Sequence, residues 1–222
     1  MKRFSWLVLI AAALLGASRA QAQSGRYARF EVVPLADYIW GGSYHLDAST
    51  GGIIHPSGDL KIDDSFGYGI MLNFLAARGT ALELTYLRQD TKLRFDPSGS
   101  AGSSGRSADF ATNYIHLGGR QEFGRNPKIR PFINGSFGLT VFDVKESGIG
   151  TSTDFSLAFG GGFESMFGKE QRFGLRAHIR GWFSFVPSDD YFYWCDFYGC
   201  GVSQGSETVS QGEVGGGLVI KF

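Results

Sequence analysis

Residues 213–222 read Glu-Val-Gly-Gly-Gly-Leu-Val-Ile-Lys-Phe. Val214, Gly216, Leu218, Ile220 and Phe222 alternate with Glu213, Gly215, Gly217, Val219 and Lys221. A period of two belongs to a β-strand, whose successive side chains point to opposite faces. One face here is apolar and ends on an aromatic ring, while the other carries two charges. An unpaired charge at mid-depth in lipid costs roughly 2–4 kcal/mol. In a membrane this strand therefore turns Glu213 and Lys221 into a closed barrel and leaves Leu218 and Ile220 outside. In water the same strand would face the other way, and alternation alone does not choose.

The pattern recurs upstream. Phe173, Leu175, Ala177, Ile179, Phe183 and Phe185 are set against Arg172, Arg176, His178, Arg180, Trp182 and Ser184; Ile129, Pro131, Ile133, Phe137, Leu139 and Val141 stand opposite Arg130, Asn134, Ser136 and Thr140. Strands are predicted at 26–40, 66–75, 80–90, 109–123, 128–144, 154–167, 171–186 and 210–222. The connections then alternate: long after Trp40, short at 76–79, long at 91–108, short at 124–127, moderate at 145–153, short at 168–170 and long at 187–209. Membrane barrels have short periplasmic turns and long outer loops. A soluble sandwich has no reason to sort its loops by parity.

The amino terminus points to the same compartment. Lys2 and Arg3 precede an apolar run from Phe4 to Leu15, followed by Ala20-Gln21-Ala22, the pattern of a secretory signal cleaved after Ala22. The run is too short for a spanning helix, which needs roughly 20 residues. An uncleaved anchor is the alternative. Residues 1–22 are thus expected to be a signal peptide and 23–222 one barrel domain. The mature part keeps 18 basic and 21 acidic residues, which suggests no nucleic-acid partner. Thirty-three glycines alongside 15% aromatics fit strands that pack rings over backbone gaps, not a disordered chain. The fold class expected is all-β: an eight-stranded antiparallel up-and-down transmembrane barrel, closed by pairing of its first and last strands because an open edge in hydrocarbon leaves backbone groups unpaired.

Four segments carry a resemblance. Ala81-Leu82-Glu83-Leu84-Thr85-Tyr86, Tyr114-Ile115-His116-Leu117-Gly118-Gly119-Arg120, Arg130-Pro131-Phe132-Ile133-Asn134-Gly135 and Gly217-Leu218-Val219-Ile220-Lys221-Phe222 resemble strands of the eight-stranded outer-membrane barrel superfamily. That superfamily includes the transmembrane domain of outer-membrane protein A and the small porin-like and opacity-like proteins. The resemblance implies integral location in the outer membrane of a Gram-negative bacterium and delivery to the barrel assembly machinery through the terminal aromatic Phe222. It implies no single activity.

With the faces so assigned, the lumen is expected to hold Arg29, Arg120, Arg130, Arg172, Arg176, Arg180 and Lys221 against Glu31, Asp37, Glu83, Glu122, Glu164 and Glu213, with His116 and His178 on the same face. Groups buried in so narrow an interior must pair. A salt-bridged polar plug is the expectation, and a selective pore the alternative. Which carboxylate meets which guanidinium depends on the barrel shear. Gly160-Gly161-Gly162 and Gly215-Gly216-Gly217 lie mid-strand without a following helix or lysine, and are read as glycines beneath aromatic rings rather than phosphate loops.

The last long loop carries Cys195 and Cys200, expected as a disulfide, with free thiols or a metal pair as alternatives. Tyr191, Phe192, Tyr193, Trp194, Phe197 and Tyr198 surround them and form either a cap over the mouth or a surface for lipopolysaccharide or another extracellular ligand. His45 and His55 with Asp47 and Asp59 form the one arrangement suggesting a hydrolase. The functional expectation is a monomeric, non-enzymatic outer-membrane protein with a structural or surface-interaction role, in contact with lipid and lipopolysaccharide and using no cofactor or metal. A small passive channel is the second reading, and an outer-membrane hydrolase the third.

Overall fold

The structure is a computed structural model that describes residues 30–46, 49–50, 53–54, 58–77, 79–97, 107–123, 129–145, 151–169, 171–186, 192–196, 199–203 and 207–222. Residues 1–22, expected as a signal peptide, and Arg29 lie outside these residues. Eight long strands make the wall: β1 (Phe30–Gly41), β2 (Ser65–Ala77), β3 (Thr80–Pro97), β4 (Ser107–Glu122), β5 (Ile129–Val144), β6 (Thr151–Phe167), β7 (Phe173–Val186) and β8 (Glu207–Lys221). Each pairs antiparallel with the one before it, and β1 pairs with β8, so the sheet closes.

The registers fix the shape. A path across the strands from Glu31 through Asn73, Glu83, Gly118, Ser136, Ala158, Trp182 and Gln211 returns to β1 at Gly41, ten residues beyond its start. Eight strands with that stagger tilt by about 40°. Short turns use glycine where a side chain would be strained: Gly79 and Gly168 sit at φ 79° and 76°.

Outside, the wall is apolar between two aromatic girdles. Phe30, Phe74, Phe123, Phe167, Phe173 and Phe222 form the girdle at the end where the chain enters and leaves; Tyr38, Phe66, Tyr68, Tyr86, Phe155 and Phe185 form the other, and all are exposed. From Phe173 to Phe185 the strand rises roughly 30 Å at that tilt, the thickness of a hydrocarbon core. Among the described residues no charge faces outward between the girdles; the first, Arg88 and Asp90, lie one step above Tyr86. The inward-facing set, from Glu31 to Glu213, is buried.

The strands run further outward than the sequence suggests. β3 continues to Pro97 and β4 begins at Ser107, where 91–108 was expected as loop. Within the expected first loop, strand Ser43–Leu46 pairs with Gly58–Ile62, which pairs in turn with the end of β3. The reason is that Arg88, Asp90, Lys92 and Arg94 face outward above the membrane, in water, while their inward neighbour Leu93 stays buried. Outward charge marks the edge of lipid, not the end of a strand.

Candidate functional site

The described interior is filled in layers. At the base, Arg120 on β4 reaches Glu164 at 2.5 Å, Glu31 at 3.0 Å and Glu122 at 3.0 Å. Arg130 joins Glu164 and Glu122 at 2.5 and 3.2 Å, and Lys221 meets Glu31 at 2.7 Å. Strands β1, β4, β5, β6 and β8 all contribute, so this cluster ties both ends of the chain to the middle. Asn73 donates to Glu31 at 3.1 Å.

Above it Arg176 donates to Glu83 at 2.7 Å and Asn134 donates to the same carboxylate at 3.0 Å. Phe132 lies beneath the Arg176 guanidinium, 4.1 Å from the ring centre. A guanidinium is weakly hydrated and stacks on aromatic faces, so it tolerates this burial better than an ammonium would.

The third layer holds His178, Asp37 and Glu213. His178 Nε2 is 2.6 Å from Glu213 and 3.4 Å from Asp37, and Trp182 donates its indole N–H to Glu213 at 2.5 Å. Arg180 stacks over Trp182 at 5.0 Å and stands 4.0 Å from Glu213. One ligand atom from each of Asp37, His178 and Glu213 lies within 4.8 Å of the others. Higher still, His116 bonds Ser136 at 3.1 Å and Ser156 at 2.8 Å, and Ser184, Thr140 and Ser156 continue the chain. Among the described residues both ring nitrogens of His116 are thus engaged by serine hydroxyls. Tyr114 stacks on Trp182 at 4.2 Å and bonds Gln211, which donates to Gln89.

The outer mouth is apolar. Leu60, Ile62, Leu93, Phe110, Phe142, Val144, Val186 and Val209 pack together inside the wall, with Phe110 and Phe142 stacked at 5.8 Å. Phe110, Phe142, Val144 and Val186 fall within expected strands, but sequence reasoning missed the cluster because it ended the third strand at residue 90 and read Leu60, Ile62 and Val209 as loop; the alternation in Lys92-Leu93-Arg94-Phe95 was the available signal. It also missed Asn73, Asn134 and Phe132, polar or stacking partners without charge of their own.

Several expected site residues sit elsewhere. Arg172 precedes β7 and is exposed at the rim, not enclosed in the lumen, because the strand has not yet entered the barrel. Gly160, Gly162 and Gly215–Gly217 lie against neighbouring backbone and non-aromatic side chains; described glycines that do lie against aromatic rings include Gly135, beside Phe159, Gly181, beside Phe183, and Gly212, beside Trp40. Phe192–Asp196 and Gly199–Ser203 form a separate hairpin whose register sets Cys195 opposite Cys200. Their side chains, those of Tyr193 and Trp194, and Tyr191, Phe197 and Tyr198 entirely, fall outside the described residues. In the first loop the register sets His45 opposite Asp59; His55 and Asp47 are also outside.

By sequence alone the chain matches no protein-family model and no curated protein. By structure it is similar to the outer membrane protein OprG of Pseudomonas aeruginosa, with a TM-score of 0.63, 16% identity, and coverage of 91% of this chain and 99% of that one. The fold is that of the eight-stranded outer-membrane barrels. Similar too are the outer membrane protein AlkL, solved in lipid bilayers (TM-score 0.56, 16% identity, 91% and 94% covered), and Neisserial surface protein A (TM-score 0.53, 17% identity, 87% and 97% covered). At these identities the likeness describes the barrel; the lumen and loops of this chain must be read from its own residues.

Proposed function

We propose that this protein is a non-enzymatic, non-conducting barrel of the Gram-negative outer membrane, which holds its long outer loops at the cell surface as a structural or interaction platform. The observation that carries this reading is the filled interior. An ion moving along the axis meets the Arg120, Glu31 and Glu164 cluster, then the stack of Tyr114 on Trp182, then the apolar cluster around Phe110 and Phe142. The first would have to be unpaired and the last wetted. Breaking a buried ion pair costs about 3–5 kcal/mol.

Platform function follows from where chemistry remains available. The taller wall at 43–46, 58–62 and 90–97 lies beyond the outer girdle, and the strands Phe192–Asp196 and Gly199–Ser203 belong to the connection between the outer ends of β7 and β8. Lipid and lipopolysaccharide are the partners of the outer wall, the barrel assembly machinery is the partner of the Phe222 strand, and the working unit is a monomer. Purified, refolded protein in planar bilayers tests the reading. No unitary steps are expected, and reproducible steps at each insertion would favour a small passive channel.

A further inference from the structure

We propose that Asp37, His178 and Glu213 form a binding site for one divalent first-row transition ion, zinc being the probe of choice, that clips together the strands where the barrel closes. The three residues come from β1, β7 and β8, the first strand, the last strand and the neighbour of the last. Gly215 stands between them. It is the cross-strand partner of Asp37 on one side and of His178 on the other. A Cβ at this glycine would lie 1.9 Å from Asp37 Oδ1. The missing side chain thus lets the Asp37 carboxylate lie directly over the bare backbone of β8, with His178 on its other flank and Glu213 two residues along the same strand.

A second observation concerns what Asp37 lacks. Its side chain is fully buried, yet neither oxygen accepts a hydrogen bond of normal geometry; the Gly216 backbone and His178 at 3.4 Å are its nearest help. Buried carboxylates are paired or coordinate metals. Among the described residues of the three lower layers, Glu31, Asp37, Glu83, Glu122, Glu164 and Glu213 face Arg120, Arg130, Arg176, Arg180 and Lys221. Among these named residues the carboxylates outnumber the arginines and lysine by one, and Asp37 is the one with no described arginine or lysine within ion-pair distance.

The donor set selects the ion. One imidazole nitrogen and two carboxylate oxygens suit zinc and its neighbours rather than magnesium or calcium, which favour all-oxygen sites. Ligands about 2.0–2.1 Å from a tetrahedral ion lie about 3.3 Å apart. His178 Nε2 and Asp37 Oδ1, at 3.4 Å, already have that spacing. Glu213, now 2.6 Å from the same nitrogen, moves outward by roughly 0.7 Å as the ion replaces the proton shared between them. Trp182, bonded to the other Glu213 oxygen, keeps that carboxylate oriented. Pro34 on β1 has no N–H to give β8, so the seam gains from a tie elsewhere.

The test uses the full mature chain, refolded into micelles with zinc, magnesium or no metal, dialysed against metal-free buffer and assayed for bound metal. Heat-modifiable gel mobility checks folding. Wild type should retain about one equivalent of zinc and no magnesium, and cobalt in its place should give the visible absorption of a tetrahedral site. Asp37→Asn keeps the shape and all four histidines; it should fold and retain less than about a tenth as much. Gly215→Ala, whose Cβ would meet Asp37 Oδ1 at 1.9 Å, should push that carboxylate out of place and, where it folds, do the same. Without metal, Asp37→Asn should be at least as stable as wild type, since it removes an anion with no cation. Wild type without stoichiometric zinc, or Asp37→Asn with a full equivalent, overturns the proposal and leaves the three residues as a proton-linked polar cluster.

Discussion

Replacing Arg120 with alanine removes the centre of the basal cluster. Three carboxylates lie within 3.0 Å of its guanidinium, and the group itself is about 1% exposed, so water does not readily take its place. Stranding a buried charge costs about 3–5 kcal/mol. The lower end applies here, because Glu31 keeps Lys221 at 2.7 Å and Asn73 at 3.1 Å, while Glu164 keeps Arg130 at 2.5 Å. A loss of about 3 kcal/mol is expected in reversible urea unfolding of the protein in lipid vesicles, followed by tryptophan fluorescence. Adding Glu31→Gln to the variant should return roughly 1 kcal/mol or more, since the cluster then loses one anion for the cation removed while Lys221 keeps Glu164 at 3.6 Å. A loss under about 1 kcal/mol, or a double variant worse than Arg120→Ala alone by the full cost of Glu31→Gln in wild type, would refute the reasoning.

Other outcomes follow from the same geometry. Replacing Phe222 with aspartate should impair assembly into the outer membrane without affecting passage across the inner one, read by fractionation and gel mobility, because its ring is 69% exposed in the girdle beside Phe30. Single cysteines at Ile179 and Leu218, in a background lacking Cys195 and Cys200, should react with lipid-phase probes, and cysteines at Arg176 and Glu213 should not. Mass spectrometry of the native protein should find Cys195 joined to Cys200, and reduction should leave the folded gel mobility unchanged, since their hairpin shares no hydrogen-bonded ladder with the barrel.

What the sequence makes legible is whatever depends on parity. Ile179 lies 59% exposed and Arg176 is buried because they are an odd number of residues apart on one strand, and lipid sorts the two faces. The order of the strands follows from short turns at every second connection. The mouth was less legible, because beyond the membrane the outward face may be charged while the inward one stays apolar, and Leu60, Ile62 and Leu93 then resemble loop residues. Of the partners of Arg120 only Glu122, two residues along the same strand, was legible from that strand. Glu31 and Glu164 come from β1 and β6, and nothing within β4 states how far those strands are displaced.

Yet that displacement is partly written in the first and last strands. Only even staggers keep both faces correct, since a slip by one residue turns every side chain over. With the observed stagger of ten, Glu31 lies across from Lys221 and Asp37 across from Gly215. A stagger of eight would set Asp37 against Glu213, two buried carboxylates face to face, and would pair Glu31 with Val219. A stagger of twelve would move Lys221 beside Val33, away from Glu31. Each alternative breaks the buried pair of Lys221 with Glu31, 2.7 Å apart in the observed register, at a cost of several kcal/mol. The positions of Glu31, Asp37, Glu213, Gly215 and Lys221 therefore select the stagger of ten, and with it the tilt of the strands and the groups that meet in the lumen.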